Sequence, residues 1–236
     1  MEHPLVSVCI TTFNHAPYIG RAIESVQRQR VAFPIEIIIG DDCSEDATLS
    51  IIERYAAEDS RIRVLRSEQN QGIHLNYRRT LLAARGRWVA LCDGDDFWSD
   101  DEKLARQLEA LAANPEAGMC YTRSYRFHEG AEQERWIYPT AELYTSFSDL
   151  LRNNTVENIT AIARRELIEA YYAEIKPEQH AEWLTDDAPM WIWFAAKSKM
   201  VAIDEPMAVH RLLPESVSQS GNYLRRIAFC DSLMDI

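Results

Sequence analysis

The alternation of short apolar runs with amphipathic stretches is the feature of this sequence that most limits its fold. Runs rich in β-branched residues occur at 5–13 (LVSVCITTF), 35–40 (IEIIIG) and 87–92 (RWVALC), and such runs are typical of strands buried on both faces. Between the first two runs, Ile19, Ala22, Ile23 and Val26 share one face of a helix. Strands that alternate with helices at this spacing predict an α/β fold with three layers and a mostly parallel central sheet.

The remaining elements follow from the same periodicities. A helix through Ile51, Ile52 and Tyr55 is predicted to be capped by Ser44, and the other helices are predicted at 73–85, 104–111 and 188–198. Further strands are predicted at 61–67, 118–123 and 199–203, and a short helix at 222–234. The alternation of strand-like and helix-like stretches becomes less regular after about residue 124, and residues 127–146 fit a loop or a short hairpin. No linker-like composition interrupts the chain, so residues 1–236 are predicted to form a single domain.

Composition narrows the classes of function. The chain has 25 basic and 37 acidic residues and a net charge of −12, which argues against nucleic-acid binding because the phosphate backbone requires a basic face. The five cysteines are scattered without a CxxC pair, so we expect a reduced, cytoplasmic protein without structural zinc. No apolar run approaches the ~20 residues that span a bilayer. An acidic protein can still bind an anionic ligand where a metal ion or local arginines supply positive charge.

Polar clusters follow three of the predicted strands. They are Thr11-Thr12-Phe13-Asn14, Asp41-Asp42 and Asp93-Gly94-Asp95-Asp96. Each cluster alone fits ordinary turn chemistry, but ligands of open α/β sheets bind beyond the carboxyl ends of the strands, where all three are expected to meet. Neither a Walker loop nor a GxGxxG motif is present, so a glycine-rich phosphate cradle is not in use. The remaining route is a divalent cation held by carboxylates, with the phosphates of a ligand completing its coordination.

The chain resembles the family 2 inverting glycosyltransferases with the GT-A fold. The resemblance rests on the stretches at 6–29, 36–48 and 70–98, with looser matches in TDDAPMW (185–191) and VHRLLPESVS (209–218). It implies transfer of a sugar from a nucleoside-diphosphate sugar, with UDP as the expected nucleotide, to a hydroxyl of a glycan or lipid-linked acceptor. It also implies Mg²⁺ or Mn²⁺ as cofactor and a role in bacterial cell-surface polysaccharide synthesis. Residues 1–123 would bind the donor, and residues 124–236 would bind the acceptor and include a C-terminal tail.

The resemblance assigns roles to individual positions. Phe13 would stack on the nucleotide base, and Asp42 would accept a hydrogen bond from it; the residues expected beside them in the donor site are Thr11, Asn14 and Asp41. Asp93, Asp95 and Asp96 match the family's DxD-type signature. Asp96 is the expected metal ligand, and Asp95 would serve the ribose, the donor sugar or the metal. Asp187 resembles the general base.

Several positions depart from the family pattern or allow two interpretations. In many relatives a tyrosine precedes the arginine that corresponds to Arg211, whereas this chain has His210 there. An acceptor-pocket role for His210 is therefore at least as attractive as a catalytic or metal-binding role. Asp186 adjoins the expected base and is also assigned to the acceptor or donor pocket. Trp98 fits either a sugar-facing wall or the core. One of Arg78 and Arg79 would contact the donor diphosphate. The alternative is that both are exposed to solvent, as most arginines on helices are. Trp191, Trp193 and Phe194 are interpreted as core.

Two other functions remain as alternatives. A sugar nucleotidyltransferase would also join a metal to an α/β sheet, but a glycine-rich phosphate loop near the N-terminus would be expected. A catalytically silent relative would keep the nucleotide pocket but would be expected to lose either Asp187 or the metal signature. Peripheral association with the cytoplasmic face of a membrane, through the acceptor or a partner, is a further expectation.

Overall fold

The computed structural model describes residues 3–179, 183 and 187–214. Within them, four parallel strands form the first part of a mixed sheet: β1 (Val6–Thr12), β2 (Ile35–Asp41), β3 (Ile62–Arg66) and β4 (Trp88–Asp93). They lie in the order β3-β2-β1-β4 and are linked by α1 (Ile19–Gln27), α2 (Thr48–Glu58) and α3 (Ile73–Leu82). The strands predicted at 5–13, 35–40, 61–67 and 87–92 are confirmed.

The sheet continues with longer strands that pair over larger sequence distances. The remaining strands are β5 (Phe97–Trp98), β6 (Ala117–His128), β7 (Trp136–Tyr138), β8 (Ile162–Arg164) and β9 (Lys199–Leu212). Strand β8 lies antiparallel between β4 and β6, and β6 then pairs in parallel with β9, whose last residues pair with β5. Strand β7 forms an antiparallel hairpin with β6, as the irregular pattern of 127–146 allowed. Strands β6 and β9 are both much longer than the sequence predicted.

Helices cover both faces of the sheet and produce the predicted three layers. Alternate residues of β2 point to opposite cores: Ile37 and Ile39 pack in one, and Ile38 packs in the other. The first core includes residues of α1, α2 and α4 (Lys103–Ala113); the second includes residues of α3, α5 (Phe147–Arg152), α6 (Arg165–Glu174) and α7 (Asp187–Lys197). Short 3₁₀ turns lie at Glu132–Glu134, Asn158–Thr160 and Pro177–Gln179. Trp191 and Phe194 are fully buried, which confirms their assignment to the core, whereas Trp193 is only partly buried there.

Two local predictions are wrong. Ser44 does not cap α2, which begins at Thr48 without a side-chain cap, because the Ser44 hydroxyl donates to Asp41 Oδ1 at 2.5 Å instead. The helix predicted at 73–85 ends at Leu82 rather than at Gly86. The predicted helix at 222–234 and Cys230 lie outside the described residues, and the boundary drawn near 124 falls inside β6. No helix in the described ranges has the length and apolarity needed to cross a bilayer.

Candidate active site

The three polar clusters meet at one edge of the sheet. Strand pairing places Thr12 opposite Asp41 and Thr11 opposite Asp93. Beyond β4 the chain turns at Gly94, whose N–H donates to the Thr11 carbonyl oxygen at 2.9 Å. A Cβ atom on Gly94 would lie 2.6 Å from Thr12 Oγ1, so the turn requires a residue without a side chain. The carboxyl edge of the sheet therefore gathers the side chains that the sequence singled out.

Asp93 stands at the centre of this edge. Its Oδ1 atom accepts hydrogen bonds from Thr11 Oγ1 at 3.2 Å and from the Tyr77 hydroxyl at 3.0 Å. Burial and, after it, the negative charge of Asp95 raise the pKa of Asp93 to about 7, with a smaller contribution from Asp187. The sequence did not indicate Tyr77, which reaches Asp93 from α3. Thr11 thus binds an acidic side chain of the site, and its contact with the donor stays a prediction.

Asp96 is almost completely buried, with 4% of its surface exposed. Its Oδ1 atom accepts the backbone N–H of Arg211 at 2.7 Å, and the Arg211 Nε atom donates to the Asp95 carbonyl oxygen at 2.9 Å. Burial raises the pKa of Asp96 well above its ordinary value, although the nearby His210 opposes the shift. Residues Asp93 to Asp96 form the acidic loop of the site. The end of β9 holds this loop in place through Arg211.

The acidic loop has the chemistry expected of a Mg²⁺ or Mn²⁺ site. The Asp95 carboxylate accepts no hydrogen bond and forms no ion pair with the part of the chain that the structure describes, and it lies close enough to Asp93 and Asp96 to raise the pKa of both. In the same part of the chain, no group of three or more His, Cys, Asp or Glu side chains forms a complete metal site. That arrangement fits Mg²⁺, which proteins commonly bind through one or two carboxylates, with water and substrate phosphates as the other ligands.

The residues expected to contact the nucleotide base differ in exposure, since Asp42 is 3% exposed. Phe13 is 37% exposed beyond β1, where a base could stack on it, and the Asn14 backbone adopts a positive φ of 55°. Asp42 accepts the backbone N–H groups of Gln71 and Gly72 at 3.0 and 2.9 Å, so a base would use the remaining lone pairs of its carboxylate.

Asp41 differs from the donor-binding role assigned to it. It is only 1% exposed, and its carboxylate holds the turn that contains Ser44. The structure therefore gives Asp41 a structural role in this turn, and its contact with the donor stays a prediction.

Asp187 is the first residue of α7 and is partly buried. Its Oδ1 atom accepts the N–H of Ala188 at 2.7 Å. Its negative charge is also among the influences that raise the pKa values of Asp93 and Tyr138, so the three side chains lie near enough to interact electrostatically. Both interpretations from the sequence, a helix-terminal residue and a general base, are compatible with this position. Asp186 lies outside the described residues.

A buried acidic group that the sequence did not indicate lies beside His210. Glu157 Oε1 accepts hydrogen bonds from His210 Nδ1 at 2.5 Å and from Arg126 Nε at 2.6 Å, and its Oε2 accepts the hydroxyl of Ser124. Burial opposes ionisation of Glu157, but the positive charges of His210 and Arg126 outweigh it and lower the pKa to about 2. Burial likewise opposes the charged form of His210, whereas Asp96 and Glu157 raise its pKa to about 10. Glu157 and His210 are 53 positions apart, so no local spacing could have revealed the pair.

Trp98 is a core residue rather than the wall of a sugar site. It is 1% exposed, and its indole N–H donates to the Ile159 carbonyl oxygen at 3.0 Å. Arg79 donates to the Asp41 carbonyl oxygen at 2.6 Å, and Arg78 lies 3.7 Å from Glu178. Both arginines thus have partners within the protein. The Trp98 indole is therefore not free to contact a sugar, whereas the Arg78 side chain is 42% exposed and its Nε atom makes no hydrogen bond within the described residues.

The acidic loop and the other polar clusters lie at the carboxyl edge of an α/β sheet, which is where open α/β folds bind their ligands. The sequence model described as "Glycosyl transferase family 2" matches residues 7–172. The chain belongs to glycosyl transferase family 2.

Curated proteins are similar to most of this chain. TuaG of Bacillus subtilis, named as a teichuronic acid biosynthesis glycosyltransferase, is 31% identical over 92% of this chain and 82% of its own length. Rv1520 of Mycobacterium tuberculosis is 32% identical over 94% of this chain, which spans only 62% of that protein.

Solved structures share the fold. TarS of Staphylococcus aureus in complex with UDP superposes with a TM-score of 0.65 at 19% identity, covering 97% of this chain and 70% of that chain. The mannosyltransferase PcManGT of Pyrobaculum calidifontis, in complex with GDP-Man and Mn²⁺, gives a TM-score of 0.66 at 20% identity. The match covers 99% of this chain and 63% of that chain. These likenesses confirm the GT-A fold.

Proposed function

We propose that the chain is a metal-dependent inverting glycosyltransferase that moves a sugar from a nucleoside-diphosphate sugar, UDP being the expected nucleotide, to an acceptor hydroxyl. The observation that supports the proposal is the acidic loop of Asp93, Asp95 and Asp96 at the carboxyl edge of the sheet, with Asp187 near enough for its charge to raise the pKa of Asp93. A single displacement requires a site for the diphosphate and a separate group that accepts a proton, and we assign these roles to the acidic loop and to Asp187.

The proposed reaction is one displacement at the anomeric carbon. Asp187 accepts the proton of the acceptor hydroxyl while the oxygen attacks C1 from the side opposite the diphosphate. The bond between the acceptor oxygen and C1 forms as the bond between C1 and the phosphate oxygen breaks, and the electron pair leaves with the diphosphate. Because a single attack occurs from the opposite side, the configuration at C1 inverts.

Asp96, with Asp95, would hold Mg²⁺ or Mn²⁺. When bound, the cation would supply positive charge to the departing diphosphate. We expect the Asp96→Ala variant to lose metal-dependent nucleotide binding, as measured by calorimetry with and without chelator. Its backbone partner Arg211 would also lose an acceptor, so circular dichroism must first show that the variant folds. Full turnover by this variant in the presence of chelator would contradict the metal mechanism.

The biological setting proposed is synthesis of a bacterial cell-surface polysaccharide, with a glycan or a lipid-linked sugar as acceptor. Support comes from relatives named for such pathways, including TuaG and the succinoglycan biosynthesis protein ExoO of Rhizobium meliloti, which is 37% identical over 47% of this chain and 30% of its own length. We place the reaction in the cytoplasm, with peripheral association with the membrane where the acceptor is lipid-linked.

The test is a panel of nucleotide sugars offered with Mn²⁺ or Mg²⁺, with release of nucleoside diphosphate as the measurement. We expect hydrolysis of at least one donor, and thermal stabilisation by its nucleoside diphosphate, since a ligand that binds only the native state raises apparent stability. Stabilisation without turnover on any donor or acceptor would identify a silent nucleotide-binding relative. Formation of a nucleotide sugar from a sugar phosphate and a nucleoside triphosphate would identify the nucleotidyltransferase alternative.

A further inference from the structure

The hydrogen bonds of Glu157 constrain the orientation of His210. The Glu157 side chain is 8% exposed and accepts from three donors, one of which is His210 Nδ1 at 2.5 Å. His210 and Arg126 are neighbours across the parallel strands β9 and β6, so a single carboxylate reaches both. With Nδ1 bound to Glu157, the Nε2 atom is the ring position left for another partner, and it makes no hydrogen bond to the described part of the chain.

The position of His210 places this ring beside the acidic loop. Val209, before His210, pairs with Phe97, and Arg211, after it, donates its backbone N–H to Asp96 Oδ1 at 2.7 Å. The side chain is 30% exposed, so a ligand at the edge of the sheet can reach it. A carboxylate that holds one imidazole nitrogen fixes the ring plane and the proton position at the other nitrogen.

A nucleoside diphosphate bound here would bring further negative charge to an edge that already carries Asp41, Asp42, Asp93, Asp95 and Asp96. Other cations near the edge have partners within the protein: Arg211 donates to Glu129 at 3.1 Å, and Arg79 donates to the Asp41 carbonyl oxygen at 2.6 Å. His210 therefore offers a hydrogen-bond donor whose outer nitrogen remains available. Charge-assisted hydrogen bonds to phosphate are among the stronger polar contacts in proteins.

We propose that Glu157 is a positioning residue that orients His210 so that the imidazole Nε2–H donates to the β-phosphate of the nucleotide donor. This inference rests on the proposed function, because it specifies a contact to the leaving group of that reaction. In the reaction, the contact would stabilise charge that grows on the diphosphate as the bond to C1 breaks. His210 would then serve the donor rather than the acceptor.

The test compares binding of a nucleoside diphosphate with binding of the matching monophosphate, which lacks the β-phosphate. UDP and UMP, and GDP and GMP, are titrated in Mg²⁺ into the wild type and the His210→Gln and Glu157→Gln variants. We expect His210→Gln to weaken diphosphate binding about tenfold and to leave monophosphate binding unchanged, in line with the loss of one charge-assisted hydrogen bond. Glu157→Gln should also weaken diphosphate binding, by about threefold, because the His210 ring is retained but is no longer held by a carboxylate charge.

Glu36→Gln supplies a matched control. Glu36 is also a buried carboxylate that accepts a serine hydroxyl, from Ser7, and an arginine, Arg85, but it lies at the opposite end of β2 from Asp41. This variant should lower thermal stability and leave the ratio of diphosphate to monophosphate affinity unchanged. A shift in that ratio in the control would show that loss of any buried carboxylate disturbs the pocket, and would overturn the assignment to Glu157.

The outcomes separate this inference from the proposed function. If the wild type binds a diphosphate and His210→Gln leaves its affinity unchanged, the inference is wrong while the donor site stands. An increase in the acceptor KM of that variant, with unchanged diphosphate affinity, would assign His210 to the acceptor. If the wild type binds neither nucleoside diphosphate, both the inference and the proposed function are wrong.

Discussion

The carboxylate of Asp187 can serve either the helix or the reaction, and substitution separates the two roles. An asparagine at this position is nearly isosteric and can bond the start of a helix almost as well as an aspartate. It cannot accept the proton of an acceptor, and general-base catalysis typically contributes about 10²- to 10⁴-fold. We therefore expect Asp187→Asn to keep the nucleotide affinity of the wild type and to lower kcat by at least ~10²-fold.

Asp186→Asn is the control for this prediction, because it changes the neighbouring carboxylate by the same chemical step. Its effect on kcat should be much smaller than that of Asp187→Asn. A large loss in Asp186→Asn alone would move the base to the neighbouring position. Unchanged kcat in both variants would leave only the helix-terminal role of Asp187, whose Oδ1 atom accepts the Ala188 N–H.

At the scale of elements, the packing of α3 on β2 depends on the absence of a side chain at Gly40. A Cβ atom there would lie 1.9 Å from Thr80 Oγ1, and the Gly40 carbonyl oxygen accepts from Asn76 Nδ2 at 3.0 Å. Gly40→Ala should therefore destabilise the fold by about 1–3 kcal/mol, the usual range for an overpacked core. The free energy of unfolding in urea is the measurement.

Gly20→Ala is the comparison, since a Cβ atom on Gly20 would first meet Tyr55 at an ordinary 3.4 Å. Gly20 lies inside α1, where alanine is the better helix former, so this variant should be neutral or more stable. Removing the clashing hydroxyl with Thr80→Ala should recover part of the loss caused by Gly40→Ala, as expected for residues in contact. Strictly additive effects of the two substitutions would argue against the clash.

The sequence predicted the elements up to Asp93 well because each is specified locally, by an apolar strand or by one face of a helix. It predicted the convergence of the polar clusters because parallel strands end at the same edge. It could not predict the full length of β6 and β9, whose pairing contains a bulge near Arg123. Nor could it reveal the group of Glu157, Ser124, Arg126 and His210, because these residues come together only in the folded chain, from β6, β9 and the segment that precedes Asn158–Thr160.

At the scale of the whole molecule, a buried lysine makes stability depend on pH. Lys103 is completely buried, with its Nζ atom 2.8 Å from Gln107 Oε1 and 4.3 Å from the centre of the Trp98 ring. Burial lowers the pKa of Lys103 to about 7, whereas an unfolded lysine titrates near ~10.4. Between these values the unfolded chain binds more protons than the folded chain, so this group makes stability rise with pH through that window.

Lys103→Met removes this group and keeps a side chain of similar shape. The stability of the variant relative to the wild type should therefore be greatest at pH 7 and below, and should decrease as the pH approaches 10. Urea unfolding of both proteins at several pH values measures this difference. Lys199→Met, at a lysine whose side chain is 74% exposed, should show no such trend. A constant difference between Lys103→Met and the wild type would show that Lys103 titrates normally.

The pairing of β6 with β9 also fixes the order in which a newly made chain can complete its site. Synthesis delivers β1 to β4 and the aspartates of the acidic loop before β9. The Arg211 N–H that bonds Asp96, and the His210 ring beside it, emerge more than a hundred codons later. A nascent chain that ends before β9 therefore lacks the backbone donor that bonds Asp96 in the folded protein.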